Sequence, residues 1–240
     1  MIAKLDKIKL PSWVKFKYNY FVISDIHGRY KKFKKLLSIK PDNSKVILLG
    51  DFVDRGDQNL AVIKYLLNKD YILIKGNHDI ALYYTLYPNK ITELQENKLA
   101  HAITYKTDGL ITLKELESVP KNTYATLYKK MKTFHLDGSL LFVHSGVYPN
   151  NIKESLNCKD GIAMCLYEDI YKYHPVWAGD AFGYPELTIN NKKILIVHGH
   201  TPSSHIKECF NSTHICCDLY GKKMMGLFFD KNGSIQPYIC

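Results

Sequence analysis

Short apolar runs alternate with lysine-studded amphipathic stretches between residues 20 and 80. Phe21-Val22-Ile23, inside a segment of about Tyr18 to Ser24, Val46-Ile47-Leu48-Leu49 and Tyr71-Ile72-Leu73-Ile74 are continuous runs rich in β-branched and aromatic side chains. Such runs suit strands covered on both faces. Between the first two, Phe33, Leu36 and Leu37 fall at helical spacing within Tyr30 to Ile39, and Pro41-Asp42-Asn43 then turns the chain. Between the second and third, Leu60 to Leu67 places Ala61, Ile63, Leu66 and Leu67 as the apolar positions of a helix. Strand, helix, strand, helix, strand with short connections is the signature of parallel crossover units, and hence of an α/β fold.

The pattern then changes and later returns. Ile80 to Leu86 reads as a helix broken at Pro88, and Ile91 to Leu99, Leu113 to Glu117 and Tyr124 to Met131 as further helical runs. This stretch, about 80–135, reads as a helical accessory wall or as packing against the sheet. Leu140 to Val143 and Ile194 to Val197 restore the strand pattern. Residues 147–190 between them hold Pro149, Pro175 and Pro185 with many aromatics, as in a substrate rim. Thr213 to Cys217, Met224 to Phe229 and Ser234 to Ile239 read as short closing strands, the last two joined by a tight turn at Lys231-Asn232-Gly233. Residues 1–20 supply a strand or ordered lead-in. The whole, 1–240, is expected to be one domain, because the chemistry-bearing runs described next are spread from residue 25 to residue 200.

Each strand-like run ends at residues able to hold a divalent cation. Asp25 and His27 follow the first, Asp51 and Asp54 the second, Asn77 and His78 the third, His144 the fourth and His200 the fifth. Strand ends in α/β sheets are where ligands bind. In extended chain Asp25 and His27 would point to one side. Mixed carboxylate and imidazole donors suit manganese, iron or zinc better than calcium. Asp51 has two oxygens and can bridge two ions. Two ions about 3.5–4 Å apart can activate a shared hydroxide and clamp a phosphate, which is a hydrolytic centre for phosphate esters.

Composition narrows this only a little. The chain has 240 residues with 33 lysines and arginines against 23 acidic residues, a formal charge of +10. That charge suits an anionic partner, although only Arg29 and Arg55 are arginines and the lysines are spread along the chain. The six cysteines show no zinc-ribbon spacing and read as buried free thiols, with the Cys216-Cys217 pair facing opposite ways if it lies in a strand. Met1 to Leu10 has no apolar core of leader length, and no segment approaches the roughly 20 apolar residues of a membrane span. The chain therefore reads as cytoplasmic, without a membrane partner and with no seam that fixes an oligomeric state.

Ser24-Asp25-Ile26-His27-Gly28, Gly50-Asp51-Phe52-Val53-Asp54-Arg55-Gly56, Gly76-Asn77-His78-Asp79 and Gly199-His200 together resemble the motifs of the calcineurin-like metallophosphoesterases. The resemblance covers about residues 20–220. It is nearest to the PPP branch, with the bacterial and phage serine/threonine protein phosphatases and the symmetrical diadenosine tetraphosphate hydrolases. It implies a four-layer α/β/β/α sandwich with two mixed β-sheets. It also implies two divalent ions, manganese first with iron or zinc possible, one held by Asp25, His27 and Asp51 and the other by Asp51, Asn77, His144 and His200. His78 would be the general acid, oriented by Asp54, and Arg55 would grip phosphate oxygens.

Relatives usually carry a second phosphate-binding arginine between His144 and His200, and this chain has none there. Lys172 or Arg29 are the candidates to replace it. His198 is expected to be a packing or supporting residue and Asp218 a supporting hydrogen-bond partner or turn residue, while Asp79 would shape the Asn77-His78 loop or cap a helix. The function expected first is a serine/threonine protein phosphatase acting on phosphorylated protein. The alternative is a pyrophosphohydrolase of diadenosine polyphosphates or of RNA 5′ ends and caps.

Overall fold

A computed structural model of the chain describes residues 1–90, 108–147, 186–219, 221 and 223–240. The predicted alternation is present as β3 (Asn19–Ile23), α1 (Tyr30–Leu37), β4 (Ser44–Leu48), α2 (Asn59–Leu67), β5 (Ile72–Leu73) and α3 (Asn77–Leu86). Two short strands precede them, β1 (Ala3–Lys4) and β2 (Ile8–Lys9). After them come α4 (Gly109–Leu116), α5 (Thr123–Tyr128), β6 (His135–Asp137), β7 (Leu140–Phe142), β8 (Leu187–Ile189), β9 (Lys192–His198), β10 (His214–Cys216), β11 (Met225–Asp230) and β12 (Ser234–Ile239).

Two mixed sheets result. Among the described residues one has seven strands in the order β1-β12-β11-β3-β4-β5, with β2 also on β12, and the other has five in the order β10-β9-β7-β6, with β8 also on β9. Within the first, β3, β4 and β5 run parallel, with Asn19 opposite Ser44 and Leu48 opposite Leu73. Within the second, β7 and β9 run parallel, with Phe142 opposite Val197.

The period-2 geometry of a strand sorts side chains between layers. Tyr20 and Val22 of β3 and Ile47 of β4, together with Leu49, meet Leu140, Phe142, Leu195 and Val197 of the other sheet in a core between the two sheets. The alternate residues Phe21, Ile23, Val46 and Leu48 face outward, onto Phe33 and Leu36 of α1, Val62 and Leu66 of α2, Ile80 of α3 and Tyr124 and Leu127 of α5. That is why these strands read as unbroken apolar runs. From Ile80 to Met131 the described helices therefore pack on the first sheet, while Phe134 and His135 already belong to the second. On the second sheet, Leu141, Val143, Ile194 and Ile196 form an outer apolar face. The rim expected over 147–190, Lys172 within it, and the helix expected over 91–99 lie largely outside the described residues.

Three local expectations change. α3 begins at Asn77, three residues earlier than the apolar pattern suggested, so Asn77 and His78 lie on a helix's first turn. Asp25 and His27 are not in extended chain: their φ angles are 51° and 46°, in the left-handed region. Cys216 and Cys217 are both buried in the core between the sheets, because β10 ends at Cys216 and strand alternation stops there. Cys209, Cys216, Cys217 and Cys240 are free thiols. No helix among the described residues is long and apolar enough to cross a membrane.

Candidate metal centre

The loops that follow β3, β4, β5, β7 and β9 converge at one end of the sandwich. Backbone hydrogen bonds lace the first two together: His27 N–H donates to Asp51 O at 2.8 Å and Gly28 N–H to Phe52 O at 3.0 Å. The second sheet is tied in by Gly199 N–H donating to His144 O at 2.8 Å and by His200 N–H donating to Asp25 Oδ2 at 3.0 Å. Six non-glycine residues here, Asp25, His27, Asp51, Asp54, Arg55 and His200, have φ between 46° and 69°. Each such conformation costs of order 1 kcal/mol or more and persists only where surrounding bonds over-determine it. Close approach demands glycine at 76, where a Cβ would strike the Asp51 carboxylate and backbone N, and at 199, where it would strike Asp25 and Ser24.

Two donor clusters share Asp51. One is His27, Asp51 and His78, and the other Asp51, His144 and His200, the ligand atoms of each lying within 4.8 Å of one another. In the first, His27 Nε2 is 3.6 Å from Asp51 Oδ2 and 3.9 Å from Asp25 Oδ1. In the second, His144 Nε2, Asn77 Oδ1 and His200 Nδ1 are mutually 3.0–3.1 Å apart, and His144 Nε2 is 3.5 Å from Asp51 Oδ1. Ligands around one cation at about 2.0–2.2 Å would stand about 2.8–3.6 Å apart in adjacent positions, so the second cluster has the right dimensions.

The donor chemistry also fits metal ions. His27 Nδ1–H donates to Val53 O at 2.9 Å and His144 Nδ1–H to Leu49 O at 2.6 Å, which leaves each Nε2 with its lone pair facing the carboxylates. His27 Nε2 is buried and has no hydrogen-bond partner. A buried imidazole nitrogen is seldom left so, and a cation held by His27 and Asp51 would satisfy it. Burial holds His27 well below the ordinary histidine value and His144 below it too, against the pull of Asp51, so both are neutral donors. Burial raises the Asp51 carboxyl, but His144, His78 and His27 around it win and keep it a carboxylate.

His78 stands differently. Its Nδ1 lies 2.8 Å from Asp54 Oδ2, and its Nε2 is 3.3 Å from Arg55 Nη2. Burial lowers its basicity, but Asp51 and Asp54 outweigh burial and hold it above the ordinary value. Asp54 is fully buried, and its Oδ1 accepts Thr112 Oγ1–H from α4 at 2.7 Å. Arg55 is exposed at the mouth. An imidazole beside a guanidinium and backed by a carboxylate suits proton transfer, and the same Nε2 lies 3.9 Å from Asp51 Oδ2 in the first donor cluster.

Several residues matter more than their sequence context suggested. Asp79 is fully buried and accepts N–H bonds from Asp51 at 2.8 Å, Phe52 at 3.1 Å and Gly76 at 3.0 Å. It caps α3 and fixes the Asp51 loop with one carboxyl group, which burial and the neighbouring Asp51 push well above the ordinary value. Its place three residues after Gly76 is a capping-box spacing, which is the signal that points to it. Tyr124 Oη–H donates to Asp79 O at 3.1 Å, and no sequence pattern marks it or Thr112. Arg29 donates to the carbonyls of Asp25 and Ile26 at 2.7 and 3.2 Å, which ties it to the first donor loop. His198 is buried beside His214, outside the donor clusters, as a packing residue. Asp218, partly buried, is pushed up to about 9 by burial and by Asp25.

Comparison with known proteins agrees with this geometry. A symmetrical bis(5'-nucleosyl)-tetraphosphatase of Coxiella burnetii is 31% identical over 158 residues, 64% of this chain and 50% of that protein. The PrpE bis(5'-nucleosyl)-tetraphosphatase [asymmetrical] of Bacillus cereus is 25% identical over 251 residues, 90% of this chain and 93% of that protein. The chain thus spans about half the length of the symmetrical enzymes it matches. A crystal structure assigned as a diadenosine tetraphosphatase superposes with a TM-score of 0.57 at 18% identity over 96% of both chains, which supports the fold. The calcineurin-like phosphoesterase family model matches residues 18–233, and the chain belongs to that family.

Proposed function

We propose that the chain is a binuclear metal-dependent phosphohydrolase whose substrate is a dinucleoside polyphosphate, cleaved at a phosphoanhydride. The observation that carries the reaction class is the pair of donor clusters sharing Asp51 beneath an exposed arginine. The substrate class rests on the named relatives, symmetrical and asymmetrical tetraphosphatases alike. This reverses the order expected from the motifs, which put phosphorylated protein first. A polyanionic substrate also suits a chain of formal charge +10.

Asp25, His27 and Asp51 would hold one ion and Asp51, Asn77, His144 and His200 the other, with manganese the first choice for this donor set. Bound there, two divalent ions lower the pKa of water and neutralise charge on the phosphoryl group. The chain's own residues do the rest. Arg55 presents a planar fork that matches two phosphoryl oxygens. His78, kept in one tautomer by Asp54, can supply a proton to a departing oxygen, a help that matters most for an alkoxide and least for the phosphate that leaves a phosphoanhydride.

The test is a panel of diadenosine tetraphosphate, phosphoserine and phosphotyrosine peptides, and RNA with 5′ phosphates or a cap, compared by kcat/KM. The dinucleotide should lead by about tenfold or more, a difference of about 1.4 kcal/mol in transition-state stabilisation. A phosphopeptide or RNA-end substrate in first place overturns the substrate assignment. Loss of all activity in chelator, restored by manganese, is expected for any member of the panel.

A further inference from the structure

The parallel strands carry the donor residues at their carboxyl ends, so their amino ends form the opposite end of the sandwich, about 15 Å away along a five-residue strand. Six exposed lysines gather there: Lys15 and Lys17 before β3, Lys45 at the start of β4, Lys192 and Lys193 at the start of β9, and Lys231 in the β11–β12 turn. They line two recesses, one of about 370 Å³ bordered by Lys17, Tyr18, Ser44, Lys45 and Lys231, the other of about 300 Å³ bordered by Trp13, Lys15, Ser139, Lys192 and Lys193. The segment from Trp13 to Tyr18 joins them, held down by Lys15 N–H on Ser139 Oγ and by the Lys17 and Tyr18 N–H groups on Asp137 Oδ2.

Acidic residues nearby, Asp42, Asp137, Glu186 and Asp230, offset part of this charge, and the six lysines outnumber them. The Asp137 carboxylate is occupied by those two N–H groups and by Tyr20 Oη–H at 2.8 Å. Glu186 pairs with Lys193 at 3.4 Å and Asp42 borders the first recess. An aromatic ring interrupts the lysines in each recess. Tyr18 is 37% exposed with the Lys45 ammonium 3.3 Å from its ring centroid, and Trp13 lines the second.

We propose that this end of the molecule docks single-stranded nucleic acid, its lysines following the phosphates, Trp13 offering a stacking surface to a base and Tyr18 a second once the Lys45 ammonium that covers its face moves to a phosphate. The site is separate from the metal centre and does not depend on the hydrolytic reading. Lysines are point charges without the forked geometry that reads base edges, so binding is independent of sequence. Interleaved rings favour a strand with unstacked bases over a duplex or an acidic polypeptide.

The test uses fluorescence anisotropy of a 3′-labelled oligothymidylate with a 5′-hydroxyl end, so that no terminal phosphate competes for the metal centre. Binding should be the same with manganese and with chelator. The triple variant Lys17→Glu, Lys45→Glu, Lys231→Glu should bind about tenfold more weakly or worse, with a shallower dependence on salt. Tyr18→Ala should weaken binding about fivefold or more. Both variants should melt as wild type and hydrolyse p-nitrophenyl phosphate at the wild-type rate. Unchanged binding by the triple variant overturns the proposal. So does displacement by polyphosphate or polyglutamate as efficient as by an oligonucleotide of equal charge, since that describes a bare polyanion or acidic-protein surface.

Discussion

The Arg29 guanidinium donates to the carbonyl oxygen of Asp25 at 2.7 Å, at a residue whose φ of 51° would not persist without support. A second donation to Ile26 O and a longer one of 3.5 Å to Gly221 O make Arg29 a clasp between the first donor loop and the chain after β10. Arg29→Ala should therefore weaken metal binding more than substrate binding. The manganese concentration for half-maximal activity should rise about 10- to 100-fold, with kcat recovering at saturating metal and KM little changed. A raised KM with unaltered metal dependence would mean that Arg29 serves the substrate instead.

In the proposed reaction His78, with its Nδ1 2.8 Å from Asp54 Oδ2, is the general acid. The demand for a proton depends on the leaving group. His78→Asn should lower kcat about 10²- to 10⁴-fold for an alkyl phosphate, whose alkoxide must be protonated. The loss should be much smaller for p-nitrophenyl phosphate or a dinucleotide, whose leaving groups depart as anions. Equal losses on all three would show that His78 acts in binding ions or substrate rather than as an acid.

Asp79 and Tyr124 separate a bond that organises the centre from one that supports it. Asp79→Ala strands the buried N–H groups of Asp51, Phe52 and Gly76, each worth about 1–3 kcal/mol when unsatisfied. Tyr124→Phe removes one hydroxyl and should cost about 1 kcal/mol. Urea unfolding of the two variants should show at least a twofold difference in lost stability, and only Asp79→Ala should lose metal.

Much of this centre was legible because strands covered on both faces leave an unmistakable apolar run, and the residue after such a run is at the sheet's edge. What escaped was set by tertiary contact. β6 and β8 are three-residue strands, too short for a period to show. Asn77 and His78 looked like loop residues because helix α3 starts in polar residues whose place is fixed by Asp79, not by an apolar face. The convergence of Asp25 and His27 was foreseen, but on the wrong backbone: left-handed turns bring them together, not strand alternation. Thr112 and Tyr124 are ordinary helix residues until the fold sets them against Asp54 and Asp79.

Stability should also depend on pH through histidines buried in neutral form. Burial lowers His198 to about 3 and lowers His135 and His214 as well. An unfolded histidine titrates near about 6.5, so below that pH the unfolded chain binds protons that the folded chain refuses. The stability is fully present above about pH 6.5 and is lost as pH falls toward the folded values. Asp218, pushed up to about 9, acts in the opposite sense in the same window, so the histidine part is read as a difference. In chelator, between about pH 7.5 and about pH 5.5, wild type should lose about 1 kcal/mol more unfolding free energy, measured in urea, than His198→Gln.

The central claim is that Asp51 joins two ions, with Oδ2 3.6 Å from His27 and Oδ1 3.5 Å from His144. Electron paramagnetic resonance of the manganese-loaded protein, with metal content measured on the same sample, tests it directly. The account predicts two manganese ions per chain with the spectrum of an exchange-coupled pair, and loss of coupling in Asp51→Asn. A single ion, or two ions with uncoupled spectra in the wild type, would contradict it.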